Sequence, residues 1–229
     1  MIKNIFFDIG GPIDKETLMD QLIDEQIIES FKSLGINVSN KEYKKIHDKL
    51  ILSFSKNLYK DIIWILSNKN IELSYIIEKK LYDTEEERNK KRGFFEPHNE
   101  IFKILKSLCE KKYKLGIIAN QPVRSIEIMK QIGLLHFFSN KYVSDSINLY
   151  KPDEKFFLHV CEDINANPCD SVMIGDRIDN DIVPAKNLGM KTIRLLTGRY
   201  KIQKPRDKSE EPDFKITNIN QVEKVIKKL

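Results

Sequence analysis

Four short apolar runs stand out along the chain: "NIFF" at residues 4–7, "YKLGIIA" from Tyr113, "SVMIG" from Ser171 and "KTIRLL" from Lys191. Each has the length of a strand, and two lead into Asp or Asn followed by turn-forming residues. Helical patterns lie beside and between them. "NEIFKILKSLCEKK" repeats Ile101, Leu105 and Leu108 at helical spacing, and "KPDEKFFLHVCEDI" repeats Phe156, Phe157, Val160 and Ile164. Pro152 falls where the second helix is expected to begin, a position that suits its fixed backbone angle. Alternating strands and helices predict an α/β fold, a doubly wound, Rossmann-like parallel sheet covered on both faces.

The interval from Lys15 to Phe95 breaks this rhythm. It has almost no strand signal and several helical ones: "LMDQLIDEQIIESFKSLGI", "SNKEYKKIHDKLILSFSKNLY", "DIIWILSN" and "LSYIIEKKLYDTEEERNKKR". Ser39 with Glu42 fits a capping box at a helix start, and Gly35 fits the stop of the helix before it. The pattern predicts an α-helical bundle, residues 15–95, inserted into a core made of 1–14 and 96–229. Glu86 with Lys90 and Glu87 with Lys91 read as i,i+4 pairs on a solvated helix face. Trp64, Tyr43, Tyr59 and Phe54 read as bundle core rather than as a ligand box. The end of the chain carries a polar loop, "QKPRDKSEEPD", then "FKI" and a short helix through Val222 and Ile226.

Composition narrows the function classes. The chain has 229 residues, of which 32% are charged and 41% hydrophobic, with a formal net charge of +5. Lys and Glu are interspersed rather than segregated, so no basic stripe supports nucleic-acid binding. No window is long and apolar enough for a membrane span, and no leader pattern opens the sequence. The expectation is a cytoplasmic protein with a small-molecule partner, a monomer or homodimer. Cys109, Cys161 and Cys169 are odd in number and lack a close-spaced pair, so they predict reduced, mostly buried thiols.

The chemistry-bearing residues sit at strand ends, where open parallel sheets bind ligands. Asp8 follows "NIFF"; Asp176 and Asp181 lie in "MIGDRIDNDI"; Lys151 precedes Pro152 in "NLYKPDEKFF". Converging carboxylates repel unless a cation joins them, and hard oxygen ligands point to magnesium. Lys151 would balance the carboxylates and an anionic substrate. Asp179 reads as a cap on the following turn, and Asn120 ends the second strand as either a turn residue or a phosphate contact. His47, His98, His136 and His159 share no spacing and read as structural or surface residues.

The spaced set "FFDIGG", "LGIIANQP", "YKPDEKFF" and "IGDRIDND" resembles the haloacid dehalogenase-like hydrolase superfamily, over nearly the whole chain. The inserted bundle resembles the helical cap that this superfamily places after its first motif. The resemblance implies Asp8 as a nucleophile that forms an aspartyl-phosphate, later hydrolysed by water. It implies Mg2+ held by Asp8, the Gly10 carbonyl and Asp176. It also implies Lys151 on the nucleophile and the transferring group, Asp181 in support, and Asn120 with Lys151 on the phosphate. A cap would close the pocket and choose the substrate. The implied activity is that of a phosphatase for a small phosphorylated metabolite.

Three positions depart from the superfamily's usual phosphatase pattern. Gly10 stands where a second Asp usually acts as acid and base, Ala119 where Ser or Thr usually contacts the phosphoryl group, and Pro12 where Thr or Val is frequent. A carbonyl at position 10 survives any side chain, so metal binding is expected to persist. Losing a positioned acid costs roughly a hundred- to ten-thousand-fold, less when the leaving group is a stable anion. Acyl phosphates are therefore expected over alkyl phosphates, with Asp14 or a cap carboxylate as other proton sources. Two alternatives stay open: a metal-free 2-haloacid dehalogenase and a non-catalytic phosphometabolite-binding protein. The intact "GDRIDND" weighs against the first.

Overall fold

The computed structural model describes residues 1–84 and 95–229. Glu86, Glu87, Lys90 and Lys91, expected to pair on a helix, lie outside the described residues. The chain divides into two compact units, 1–15 with 96–229, and 16–95.

Strand β1 (Asn4–Phe7) opens the first unit and is buried at every residue. The second unit then contributes α1 (Thr17–Lys32), α2 (Asn40–Leu52), α3 (Leu58–Leu66) and α4 (Ile71–Asp83). The Ser39 side chain accepts from the Glu42 amide at 3.2 Å and starts α2. Gly35, at φ +77°, follows the end of α1 in the left-handed region that β-carbon-bearing residues avoid. Ile27, Phe31, Ile51, Ile62 and Ile77 are buried and form the centre of this unit. Tyr43 is buried with its hydroxyl donating to Asp24, whereas Trp64 is partly exposed.

Back in the first unit come α5 (Ile101–Glu110), β2 (Lys114–Ala119), α6 (Val123–Gln131), β3 (Asn140–Val143) and α7 (Ser144–Ile147). They are followed by α8 (Glu154–Asp163), β4 (Ser171–Gly175), α9 (Val183–Asn187), β5 (Lys191–Leu195), β6 (Phe214–Ile216) and α10 (Val222–Ile226). The strands form one six-stranded sheet in the order β3-β2-β1-β4-β5-β6. Every pairing is parallel. Chain direction across the sheet reverses between β1 and β4, the switch point at which such sheets open a crevice beyond their carboxyl ends. Period-two alternation sends Phe6, Ile118 and Met173 to one face, where they pack with Phe156, Phe157 and Val160 of α8. Phe7 points the other way and meets Phe138 edge to face, with ring centres 6.0 Å apart.

Three local expectations change. Pro152 is not the start of α8: Lys151–Pro152 is a cis peptide in the preceding turn, and Asp153 caps the helix by accepting from the Lys155 amide. β3 and β6 are strands where no apolar run announced one; β3 is a four-residue edge strand buried fully only at Val143. Of the three free thiols only Cys161 is buried, Cys109 being half-buried and Cys169 exposed.

Candidate active site

The carboxyl ends of β1 and β4 are adjacent because Phe7 pairs with Ile174, and the Asp8 amide continues the ladder to the Ile174 carbonyl at 2.9 Å. That register brings Asp8 beside Asp176. A five-residue π-turn, Ile178–Ile182, then carries the chain round so that Asp181 returns to the same spot. Wide turns of this kind tend to mark functional sites. One ligand atom from each of Asp8, Asp176 and Asp181 lies within 4.8 Å of the others.

Lys151 stands among these acids and is itself buried. Its Nζ lies 3.1 Å from Asp8 Oδ1 and 2.5 Å from Asp181 Oδ1. Burial alone would lower the Lys151 ammonium, but Asp181 and Asp8 outweigh it and hold it above its ordinary value. Asp8 has the opposite imbalance: burial pushes its carboxyl from 3.8 to about 6, opposed by Lys151 and reinforced by Asp181. Asp8, Asp176 and Asp181 gather hard carboxylate oxygens beside the Lys151 ammonium, with the Arg177 and Arg194 guanidiniums also acting on Asp176. A divalent cation with oxygen preference suits that donor set, so the donors fit magnesium in type.

Two glycines make the arrangement possible. Gly11 adopts φ +81°, and a β-carbon there would stand 2.8 Å from Asp176 Cβ. A β-carbon on Gly175 would come within 2.3 Å of Asp181 Cγ. Both distances are below any real contact, so the acids approach the backbone only because it is bare.

Asn120 ends β2 as expected, but its side chain is committed. Nδ2 donates to the Lys151 carbonyl and Oδ1 accepts from the Lys151 amide, each at 2.8 Å. The side chain therefore clamps the Lys151 backbone. Asp179 is no cap: it pairs with Arg177 and accepts from Gln203 Nε2. Asp14, a possible proton donor, accepts from the Glu96 amide at 3.0 Å.

Several supporting residues went unnoticed in the sequence. Arg194, among the largest fully buried side chains, donates to the carbonyls of Asp176, Gln203 and Tyr200. Arg177 forks onto Asp179 and lies 4.5 Å over the Tyr200 ring. Burial would lower the Arg177 guanidinium, but Tyr200 and Asp179 hold it above its usual range. A charged residue within the apolar run "KTIRLL" was the available signal for Arg194. His98, expected as a structural or surface residue, places Nε2 2.7 Å from the Gly11 carbonyl.

Fold and site together place three buried carboxylates and a buried lysine at the carboxyl ends of the α/β sheet, at its switch point. A family profile described as haloacid dehalogenase-like hydrolase matches residues 11–195. The chain belongs to this family. It is 27% identical to a glyceraldehyde 3-phosphate phosphatase from Methanocaldococcus jannaschii, over 100% of this chain and 99% of that protein. A protein of the same name from Methanopyrus kandleri is 31% identical over 61% of this chain and 60% of its own length. A solved structure of a predicted phosphoglycolate phosphatase from Haemophilus somnus 129pt superposes with a TM-score of 0.73. It is 18% identical and covers 98% of each chain, which establishes the fold. Among the described residues no helix is long and apolar enough to cross a membrane.

Proposed function

We propose that this hydrolase is a magnesium-dependent phosphatase of a small phosphorylated metabolite, working through a phosphoryl group carried on Asp8. The observation that carries the reading is the pairing of Asp8 with the Lys151 ammonium at 3.1 Å, beside Asp176. Relatives whose names specify small phosphorylated substrates support the substrate class. A cytoplasmic monomer or homodimer is the setting this reading implies.

Asp8, the Gly10 carbonyl and Asp176 would hold magnesium, which when bound supplies positive charge for the phosphoryl oxygens. Asp8 presents a carboxylate oxygen to phosphorus in line with the leaving oxygen; the new P–O bond forms as the old one breaks. Lys151 holds that carboxylate in place and meets the charge on the transferring group. Asp181 fixes the ammonium from behind, and Asn120 fixes its backbone. Water then attacks phosphorus, and Asp8 leaves with its own oxygens. Position 10 has no side chain to give the leaving oxygen a proton, so good leaving groups are favoured.

The test is phosphate release from acetyl phosphate, p-nitrophenyl phosphate and an alkyl phosphate, with magnesium and with EDTA, beside Asp8→Asn. Turnover that needs both magnesium and Asp8 is the expected result. Turnover unaffected by EDTA, or retained by the variant, overturns the reading. No turnover on any substrate, with chloride released from 2-chloropropionate, would mark a dehalogenase instead.

A further inference from the structure

The loop after β1 is unusual in having two consecutive glycines, Gly10 and Gly11, and no side chain at position 10 to anchor it. Such a loop loses more conformational freedom on ordering than any other pair of residues would. Something must hold it. Its outer side is stitched to residues 96–98 by a short set of bonds. The Lys15 amide donates to the Glu96 carbonyl at 3.0 Å, and the Glu96 amide donates to Asp14 Oδ1. The His98 amide donates to the Ile13 carbonyl at 3.2 Å.

One bond in the set reaches the glycine pair itself. His98 Nε2 lies 2.7 Å from the Gly11 carbonyl, which can only accept, so Nε2 carries the proton. Gly11 is therefore pinned on both sides: its amide donates to the Asp14 carbonyl at 2.8 Å, and its carbonyl takes the imidazole. Space is short as well, because Asp176 Cβ would lie only 2.8 Å from a Gly11 β-carbon.

We propose that His98 is a positioning residue for the cation site, setting the Gly10–Gly11 turn on which the direction of the Gly10 carbonyl depends. The inference rests on the reading of Gly10 as a magnesium ligand. His98 touches neither the metal nor the substrate; it does for the loop what a side chain at position 10 cannot. The imidazole is half-buried and lines a polar recess of about 380 Å³ with Lys15, Asn99, Glu100 and Asn218. Removing the ring leaves room that small solutes can enter from this recess.

The experiment titrates magnesium by calorimetry into the wild-type protein, His98→Ala and His98→Gln, and follows each fold by circular dichroism. Loss of one hydrogen bond of this kind predicts roughly two- to tenfold weaker magnesium binding by His98→Ala. His98→Gln, whose amide can still donate, restores most of it, as does added imidazole with His98→Ala. Phosphate release then shows a raised magnesium requirement with substrate KM unchanged at saturating metal. Equal affinity for all three proteins overturns the role of His98 while leaving the phosphatase reading intact. If His98→Ala does not fold, His98→Leu, which fills the space and cannot donate, takes its place: weaker magnesium binding than His98→Gln supports the role and equal binding overturns it. No magnesium binding by wild type overturns both.

Discussion

Asp8 is held in a position that suits chemistry and strains the fold, and replacing it measures that strain. Burial and the nearby Asp181 carboxylate lift its pKa from 3.8 to about 6 despite the Lys151 pairing. A raised carboxyl pKa means the native state holds the proton more tightly than the unfolded chain does. Its contribution to stability is fully present below pH 3.8 and is lost as pH rises through about 6. At about 1.4 kcal/mol per pH unit, the metal-free protein loses about 3 kcal/mol across that window. Asp8→Asn carries no such proton and escapes the loss. In EDTA the variant should therefore gain on wild type by about 3 kcal/mol between pH 4 and pH 7. For a chain of this size that gain corresponds to a Tm higher by about 6–12 °C at neutral pH. Urea denaturation at half-unit pH steps, followed by circular dichroism, reads the difference directly. A difference that stays flat across the window, or wild type gaining on the variant, refutes the reasoning. Magnesium should reverse the ranking at pH 7, because it binds the wild-type site in preference.

Arg194→Met removes the donor to three backbone carbonyls and should cost roughly 3–5 kcal/mol in urea melts; a loss under about 1 kcal/mol would contradict its bracing role. Gly175→Ala drives a β-carbon into Asp181 and should lower kcat at least about tenfold through a displaced Lys151, at a cost of about 1–3 kcal/mol in stability. Unchanged kcat would sink that account. Asn120→Ala frees the Lys151 backbone and should reduce kcat with little change in magnesium affinity, which steady-state kinetics and calorimetry separate. Acetyl phosphate should exceed an alkyl phosphate in kcat/KM by roughly a hundred- to ten-thousand-fold; equal values would show that another group supplies the acid missing at Gly10.

The central features were legible because burial and chemistry marked them together. "NIFF" and "SVMIG" are buried at every position and apolar beyond the opening Asn4 and Ser171, the signature of strands covered on both faces, and each leads into an acid that the sheet then brings together. β3 and β6 carried no such signature, since "NKYV" and "FKI" are short and only partly buried. Asn120 was placed correctly at a strand end, yet its partner is a backbone thirty-one residues away, which no local pattern encodes. Arg194 and His98 were missed for the same reason. Their roles come from main-chain carbonyls, Asp176 and Gly11, whose positions exist only after the sheet and loop have formed.

The most direct test of the central claim is a rapid-quench experiment with 32P-labelled acetyl phosphate and magnesium, followed by peptide mapping. The account predicts an acid-stable, base-labile phosphoryl group on the peptide containing Asp8, absent from Asp8→Asn and from samples quenched with EDTA present at the start. Steady phosphate release with no label on that peptide, or label on another residue, would contradict it.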